Sequence, residues 1–290
     1  MQINPNPIHT KIYREIIMKF SFEVIIKSGE AEVDMDYALK TLAGTSSVVC
    51  LLAEAILRGR IIERRTHAND IRAKLKQSFK GSYGQRFDID INDRTLIARL
   101  NAIGKPVFAE VMTYYICEAL YIEGETLSIK AQEIVNGLVE IEDELTKRIR
   151  SPLNDMHKIT NKSGFNVELN YKMRGGEGRV ITLNSSTDDL ISETEIDDAR
   201  HDLRAAITRF NSMTGNGRLI VEGQEEHGTV AFGFYDSLRY VTEAYKLQIT
   251  ENLHHNNGRP SDAWEYISLS VNDLKIQSGD VVKYLIRDVQ

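Results

Sequence analysis

Apolar and polar positions alternate most regularly along residues 69–92, NDIRAKLKQSFKGSYGQRFDIDIN. Ile71, Ala73, Leu75 and Phe79 alternate with Arg72, Lys74, Lys76 and Lys80. After Gly81-Ser82-Tyr83-Gly84, Phe87, Ile89 and Ile91 alternate with Arg86, Asp88 and Asp90. Period-2 alternation on both sides of a glycine-rich turn predicts a β-hairpin with one apolar face. The apolar positions are odd-numbered on both strands, and directly opposed residues share a face. The loop must then hold an odd number of residues, most simply Gly81-Ser82-Tyr83. That register sets Lys76 opposite Asp88 and Lys74 opposite Asp90.

The same reading predicts a strand at 19–26 (KFSFEVII), a turn at Ser28-Gly29-Glu30 and a short strand at 31–33. A helix follows, capped by Asp34 or Asp36 because an aspartate side chain accepts from the first free backbone amides. It runs to about Leu57 with Gly44-Thr45-Ser46 as a possible break, and Gly59 ends it. Residues 94–160 show helical stripes throughout, with Pro152 interrupting or restarting the last. A second hairpin joins 165–169 to 180–183. Residues 185–202 carry Asp188, Asp189, Glu193, Glu195, Asp197, Asp198 and Asp202 against Arg200 alone, which predicts an extended, self-repelling linker.

Beyond residue 202 the order is β-β-β-α-β-β, with Gly215-Asn216-Gly217 as a tight turn and Asp236 as the helix cap; it suits a small curved sheet or partial barrel. The fold class is therefore α+β: an N-terminal hairpin sheet packed on helices, a helical middle, and a C-terminal curved sheet with one helix. The expected domains are 1–184 and 203–290, joined by the 185–202 linker.

Composition changes little in this picture. At 290 residues the chain suits two domains, and its 42% hydrophobic and 27% charged content is ordinary for a globular protein. No apolar run approaches the roughly 18 residues a membrane span needs, and no secretory signal is read at the N-terminus. Cys50 and Cys117 in apolar helical surroundings read as buried thiols of a reducing compartment, so the cytoplasm is expected.

Charge is more informative. Residues 1–150 carry 21 basic and 21 acidic groups, so the whole net charge of −6 lies in residues 151–290. From Arg58 to Arg86, nine cations (Arg58, Arg60, Arg64, Arg65, Arg72, Lys74, Lys76, Lys80 and Arg86) face only Glu63 and Asp70, a local surplus of seven. One reading is a solvated sheet face whose lysines pair with Asp88 and Asp90, worth roughly 0.2–1 kcal/mol per pair. The other is a docking site, since the guanidinium fork matches phosphate and carboxylate geometry. Its candidate residues are Arg60, Arg64, Arg65, Arg72, Lys74, Lys76 and Arg86. Reversing Arg64, Arg65, Lys74 and Lys76 to Glu should then weaken partner capture and leave unfolding nearly unchanged.

No catalytic constellation is specific. Asp88, Asp90 and Asp93 could serve a metal-dependent phosphodiesterase, and His254 with His255 could ligate a metal in a polar loop. Cys50 is a formal nucleophile, but a thiolate is disfavoured inside an apolar helix. The 174–179 loop (RGGEGR) lacks both the Lys-Ser/Thr pair and the following helix of a phosphate-cradling loop. No cofactor is expected.

The segments TLAGTSSVVCLLAEAILRGR, FKGSYGQRFDIDI, GNGRLIVEG, GTVAFGF and LSVNDLKIQSGDVVKYLIRDV, in that order, resemble an uncharacterised bacterial two-domain family. The resemblance implies a helical middle, a small β-rich C-terminal domain, and a place in antiviral-defence or mobile-element loci. Together these readings predict a non-enzymatic binding or scaffold subunit that docks a polyanion or an acidic protein partner. The alternatives are a metal-dependent nuclease or phosphodiesterase, and a homo-oligomeric structural protein assembled through the helical middle.

Overall fold

The computed structural model describes residues 18–62, 70–79, 82–173, 175–191 and 194–290. Arg64 and Arg65 of the expected docking set lie outside the described residues.

The N-terminal half is a five-stranded antiparallel sheet covered on one face by helices. Its strands are β1 (Met18–Ile26), β2 (Ile71–Phe79), β3 (Tyr83–Ile91), β4 (Val167–Met173) and β5 (Gly176–Leu183), in the order β2-β3-β1-β4-β5. β1 therefore joins two hairpins that are far apart in sequence. Its alternation explains why: Phe20, Phe22, Val24 and Ile26 are all buried, the first three opposite buried Ile89, Phe87 and Gln85 of β3 and the last three opposite buried Tyr171, Leu169 and Val167 of β4. The segment 31–33, expected as a strand, is irregular.

The helices are α1 (Met35–Arg58), α2 (Arg94–Ile103), α3 (Lys105–Ala119), α4 (Ile129–Asn136), α5 (Glu142–Met156), α6 (Lys158–Ser163) and α7 (Ser185–Ile191). Asp34 caps α1 by accepting from the Tyr37 amide at 3.0 Å, and Gly59 closes it in the left-handed conformation. By length and composition α1 could cross a membrane, yet 67% of its most apolar window is buried in this fold.

Gly44 does not break α1. A Cβ there would sit 2.6 Å from the Pro152 carbonyl oxygen and 2.8 Å from the Asp155 carbonyl carbon. The glycine lets α1 and α5 cross backbone to backbone, and α5 runs through Pro152 without a break.

The first hairpin keeps the expected faces as far as Leu75 but not the expected register. Lys74 lies opposite Asp88 and Arg72 opposite Asp90, a slip of two residues, with a bulge between Leu75 and Gln77; Tyr83 begins β3 instead of closing the loop. A slip of two leaves Ile71, Ala73 and Leu75 on their own face; beyond the bulge the parity changes, with Ser78 opposite Gln85 and Phe79 opposite Gly84. Burying one large apolar side chain contributes about 1.5–3 kcal/mol. An exposed ion pair contributes roughly 0.2–1 kcal/mol. The apolar face therefore dictates parity, and the charges adapt. The far end of that face stays open: Leu75 is 68% exposed, beside a groove of about 270 Å³ bounded by Leu39, Leu42 and Phe87.

The C-terminal half is a mixed five-stranded ring with one helix. It comprises β6 (Thr194–Phe210), β7 (Gly217–Val221), β8 (Val230–Phe234), α8 (Glu243–Asn256), β9 (Ile267–Ile276) and β10 (Val281–Val289). The ring runs β10-β8-β7-β6-β9 and closes through β9 to β10; only the β8–β10 pair is parallel. α8 is capped by Thr242, not Asp236. Asn252 on α8 accepts from the Ile207 amide at 2.8 Å and donates to the Glu265 carbonyl at 2.9 Å, tying the helix to the ring.

The 185–202 segment is not an extended linker. Residues 185–191 are α7, whose Ile191 joins the N-terminal core, and from Thr194 the chain is already β6, paired with β9. Residues 194–196 and 200–205 pair with β9 around an irregularity at 197–199; acidic side chains can stay solvated while the backbone on one side is paired, so the charge run did not prevent strand formation.

Candidate functional site

The open face of the N-terminal sheet holds most of the sequence-derived candidates. Even-numbered residues of β3, odd-numbered residues of β1, and Arg72 and Lys74 of β2 project there, and Gln77 does so past the bulge. Lys74 Nζ reaches Asp90 Oδ2 at 2.8 Å and Lys76 Nζ reaches Asp88 Oδ2 at 3.1 Å. Both expected ion pairs thus form, but diagonally across the slipped register. The carboxylates are deep, 5% exposed each, while the lysines above them are 53% and 42% exposed. Ser21 Oγ adds a hydrogen bond to Asp88 at 2.7 Å. The hydrogen bond to Asp88 raises the Lys76 pKa above its ordinary value. Asp90 Oδ1 is buried and has no hydrogen-bond donor among the described residues.

The pattern continues along the sheet. Glu23 on β1 is buried between Arg86 Nε at 2.8 Å and Lys172 Nζ at 2.8 Å. Burial alone would raise its carboxyl; the hydrogen bonds from Lys172 and Arg86 outweigh that and hold it below the usual range. Arg179 reaches Glu168 at 3.1 Å. This face has a layer of sunken carboxylates and an outer fringe of cationic tips. Arg72 is exposed on the same face, and Arg60 is exposed just beyond the end of α1. Arg58, counted in the basic surplus, is instead held by Glu54 and by Asp70 Oδ2, the latter at 2.6 Å.

The other candidates do not assemble. His254 and His255 lie in the last turn of α8, not in a loop; His254 is exposed and His255 Nε2 meets Glu265 at 2.8 Å. Asp93 caps α2 by accepting from the Leu96 amide at 2.9 Å. Cys50 and Cys117 are buried and unbridged, and burial pushes the Cys117 thiol up to about 12. Among the described residues no three His, Cys, Asp or Glu side chains gather as cation ligands.

Sequence reading missed a second place altogether. A cleft of about 570 Å³ opens where the C-terminal end of α3 and the start of α5 face the ring. Glu142, the first residue of α5, is 2% exposed. Its Oε1 accepts from Asn216 Nδ2 at 2.9 Å, and the Tyr114 hydroxyl stands 3.5 Å from both carboxylate oxygens. Asn216 Oδ1 in turn accepts from Lys283 Nζ at 2.8 Å. Burial, helped by the nearby Glu118 charge, pushes the Glu142 carboxyl up to about 7. Burial also lowers the Lys283 amine, against the pull of Glu118 and Asp143.

Glycine makes room for this group: a Cβ at Gly233 would lie 2.9 Å from Lys283 Cε and 3.0 Å from Asn216 Oδ1. The only local signal was the Gly215-Asn216-Gly217 turn. Glu142 and Lys283 are 141 positions apart, and no periodicity links them.

The two halves meet around this cleft. Arg218 is buried and donates to the carbonyls of Tyr121 and Thr229, each at 2.9 Å. Thr229 Oγ1 donates to Glu123 at 2.6 Å, and Arg209 pairs with Glu118. Tyr121 has a φ of 56°, which bulky side chains rarely adopt. Compared with family models, curated proteins and solved structures, the chain matches none.

Proposed function

We propose that this protein works by binding, and that the open face of its N-terminal sheet docks the acidic surface of a protein partner. The supporting observation is the layering of charge on that face: carboxylates are sunk to 5% exposure while the lysines that neutralise them stand outermost. An approaching surface meets cations first. Each ammonium has three donors, so a partner carboxylate can be added without breaking the existing pair. The antiviral-defence or mobile-element setting rests on the family resemblance, and the cytoplasm on the two thiols.

The sunken carboxylates change the test. Reversing Lys74 or Lys76 would set like charges against Asp90 or Asp88, so unfolding would not stay nearly unchanged. The informative variant is Arg60→Glu, Arg72→Glu, Lys74→Gln and Lys76→Gln combined. It should lose at least tenfold in capture of immobilised polyglutamate and of the products of neighbouring genes, and wild-type capture should weaken with salt. Equal capture by wild type and variant would sink the proposal. Retention of duplex DNA without polyglutamate would replace the protein partner with nucleic acid.

A further inference from the structure

The geometry points to the cleft between α5 and the ring as a binding site for a small zwitterion with an apolar side group, the chemistry of a hydrophobic α-amino acid. This inference is independent of the docking face. It begins with an acid and a base that share a cavity without pairing directly. Lys283 and Glu142 are separated by the Asn216 carboxamide, which accepts from one and donates to the other at 2.8 and 2.9 Å. Neither group is saturated. Lys283 has three possible donors and one hydrogen-bond acceptor in Asn216. Among the described residues Glu142 Oε2 has only the Tyr114 hydroxyl, at 3.5 Å.

Poorly solvated ionisable groups with spare hydrogen-bonding capacity are costly, and costlier when charged, unless something supplies the missing partners. A ligand carboxylate on Lys283 and a ligand ammonium on Glu142 would supply both. Their separation in an α-amino acid suits two charges held one carboxamide apart. The same cleft offers an apolar wall in Met213, Phe234, Leu274 and Leu285 from the ring. Its volume of about 570 Å³ lies within the usual range for small-molecule pockets, roughly 300–1,000 Å³.

Calorimetric titration of the full chain with L-leucine and L-phenylalanine tests this. The expected result is saturable binding. Isoamylamine and 4-methylvalerate, which each keep one charge of leucine, should bind at least tenfold more weakly. Glu142→Gln should cost at least tenfold for the amino acids and leave 4-methylvalerate unchanged. Gly233→Ala is a second variant, because its Cβ meets the movable tip of Lys283 instead of backbone; it should keep the wild-type melting temperature and lose affinity. Absence of binding by either amino acid at millimolar concentration would overturn the inference, as would binding of the amine or the acid as tightly as the parent amino acid.

Discussion

At the scale of single residues, burial and charge oppose each other at Glu142. Its folded-state carboxyl lies at about 7, against an ordinary value of 4.5. A raised carboxyl means the folded state holds its proton longer than the unfolded chain does. The associated stability is complete below about pH 4.5 and is lost as pH climbs to about 7. The groups facing it from every side are Glu118 and Tyr114 on α3, Asp143 on α5, and Asn216 and Lys283 from the ring. Glu142→Gln should therefore flatten the stability profile between pH 5 and 8 and raise stability at pH 8 by about 1–3 kcal/mol, at roughly 1.4 kcal/mol per pKa unit. Urea unfolding at pH 5, 6.5 and 8 measures it; parallel wild-type and variant profiles would show that Glu142 does not titrate there. Lys74→Glu tests the other buried carboxylates, and should lower the urea midpoint where Lys74→Gln lowers it less.

At the scale of elements, close approach of backbones is the sharpest constraint. Gly44→Ala places a methyl 2.6 Å from the Pro152 carbonyl oxygen, and backbone cannot swing aside as a lysine tip can. Overpacking of this kind costs about 1–3 kcal/mol. The urea midpoint should fall accordingly, and an unaltered midpoint would mean that α1 and α5 are further apart than described.

The same elements show what the sequence reveals. The strands 19–26, 71–79 and 281–289 and the helix ending at Gly59 were all legible, because period and cap residue are local signals. The slip of two in the hairpin was not, since a parity argument cannot distinguish registers that differ by an even number. Gly44 looked like a breaker because its reason lies on another helix more than a hundred residues away. The acidic run at 185–202 misled because charge reports on solvation, not on backbone pairing. The cleft was invisible because β8 and β10, which bring Gly233 close to Lys283, meet only through a long-range parallel pairing.

At the scale of the molecule, the two halves are fastened by polar groups at the rim of the cleft. Arg218 spans them, donating to Tyr121 on one side and Thr229 on the other, and Arg209 holds Glu118. Removing both arginines takes a donor from the Tyr121 and Thr229 carbonyls and from the Glu118 carboxylate, all in the seam between the halves. The wild type should melt in a single calorimetric transition. Arg209→Ala with Arg218→Ala should split it in two; one unsplit peak at lower temperature would mean that the apolar contacts between the halves suffice.

The two sheets also differ in what they leave unpaired. The ring closes on itself, although residues 194–203 of β6 pair with β9 alone; the N-terminal sheet ends in β2 on one side and β5 on the other. Stray strand addition between copies, the first step toward aggregation, can start at such one-sided strands, β2 and β5 among them. On β2 the bulge beside Lys76 and the row of Arg72, Lys74 and Lys76 obstruct a flat incoming strand. The residues offered above as a welcome for an acidic surface would, by the same chemistry, turn away a second copy of the chain.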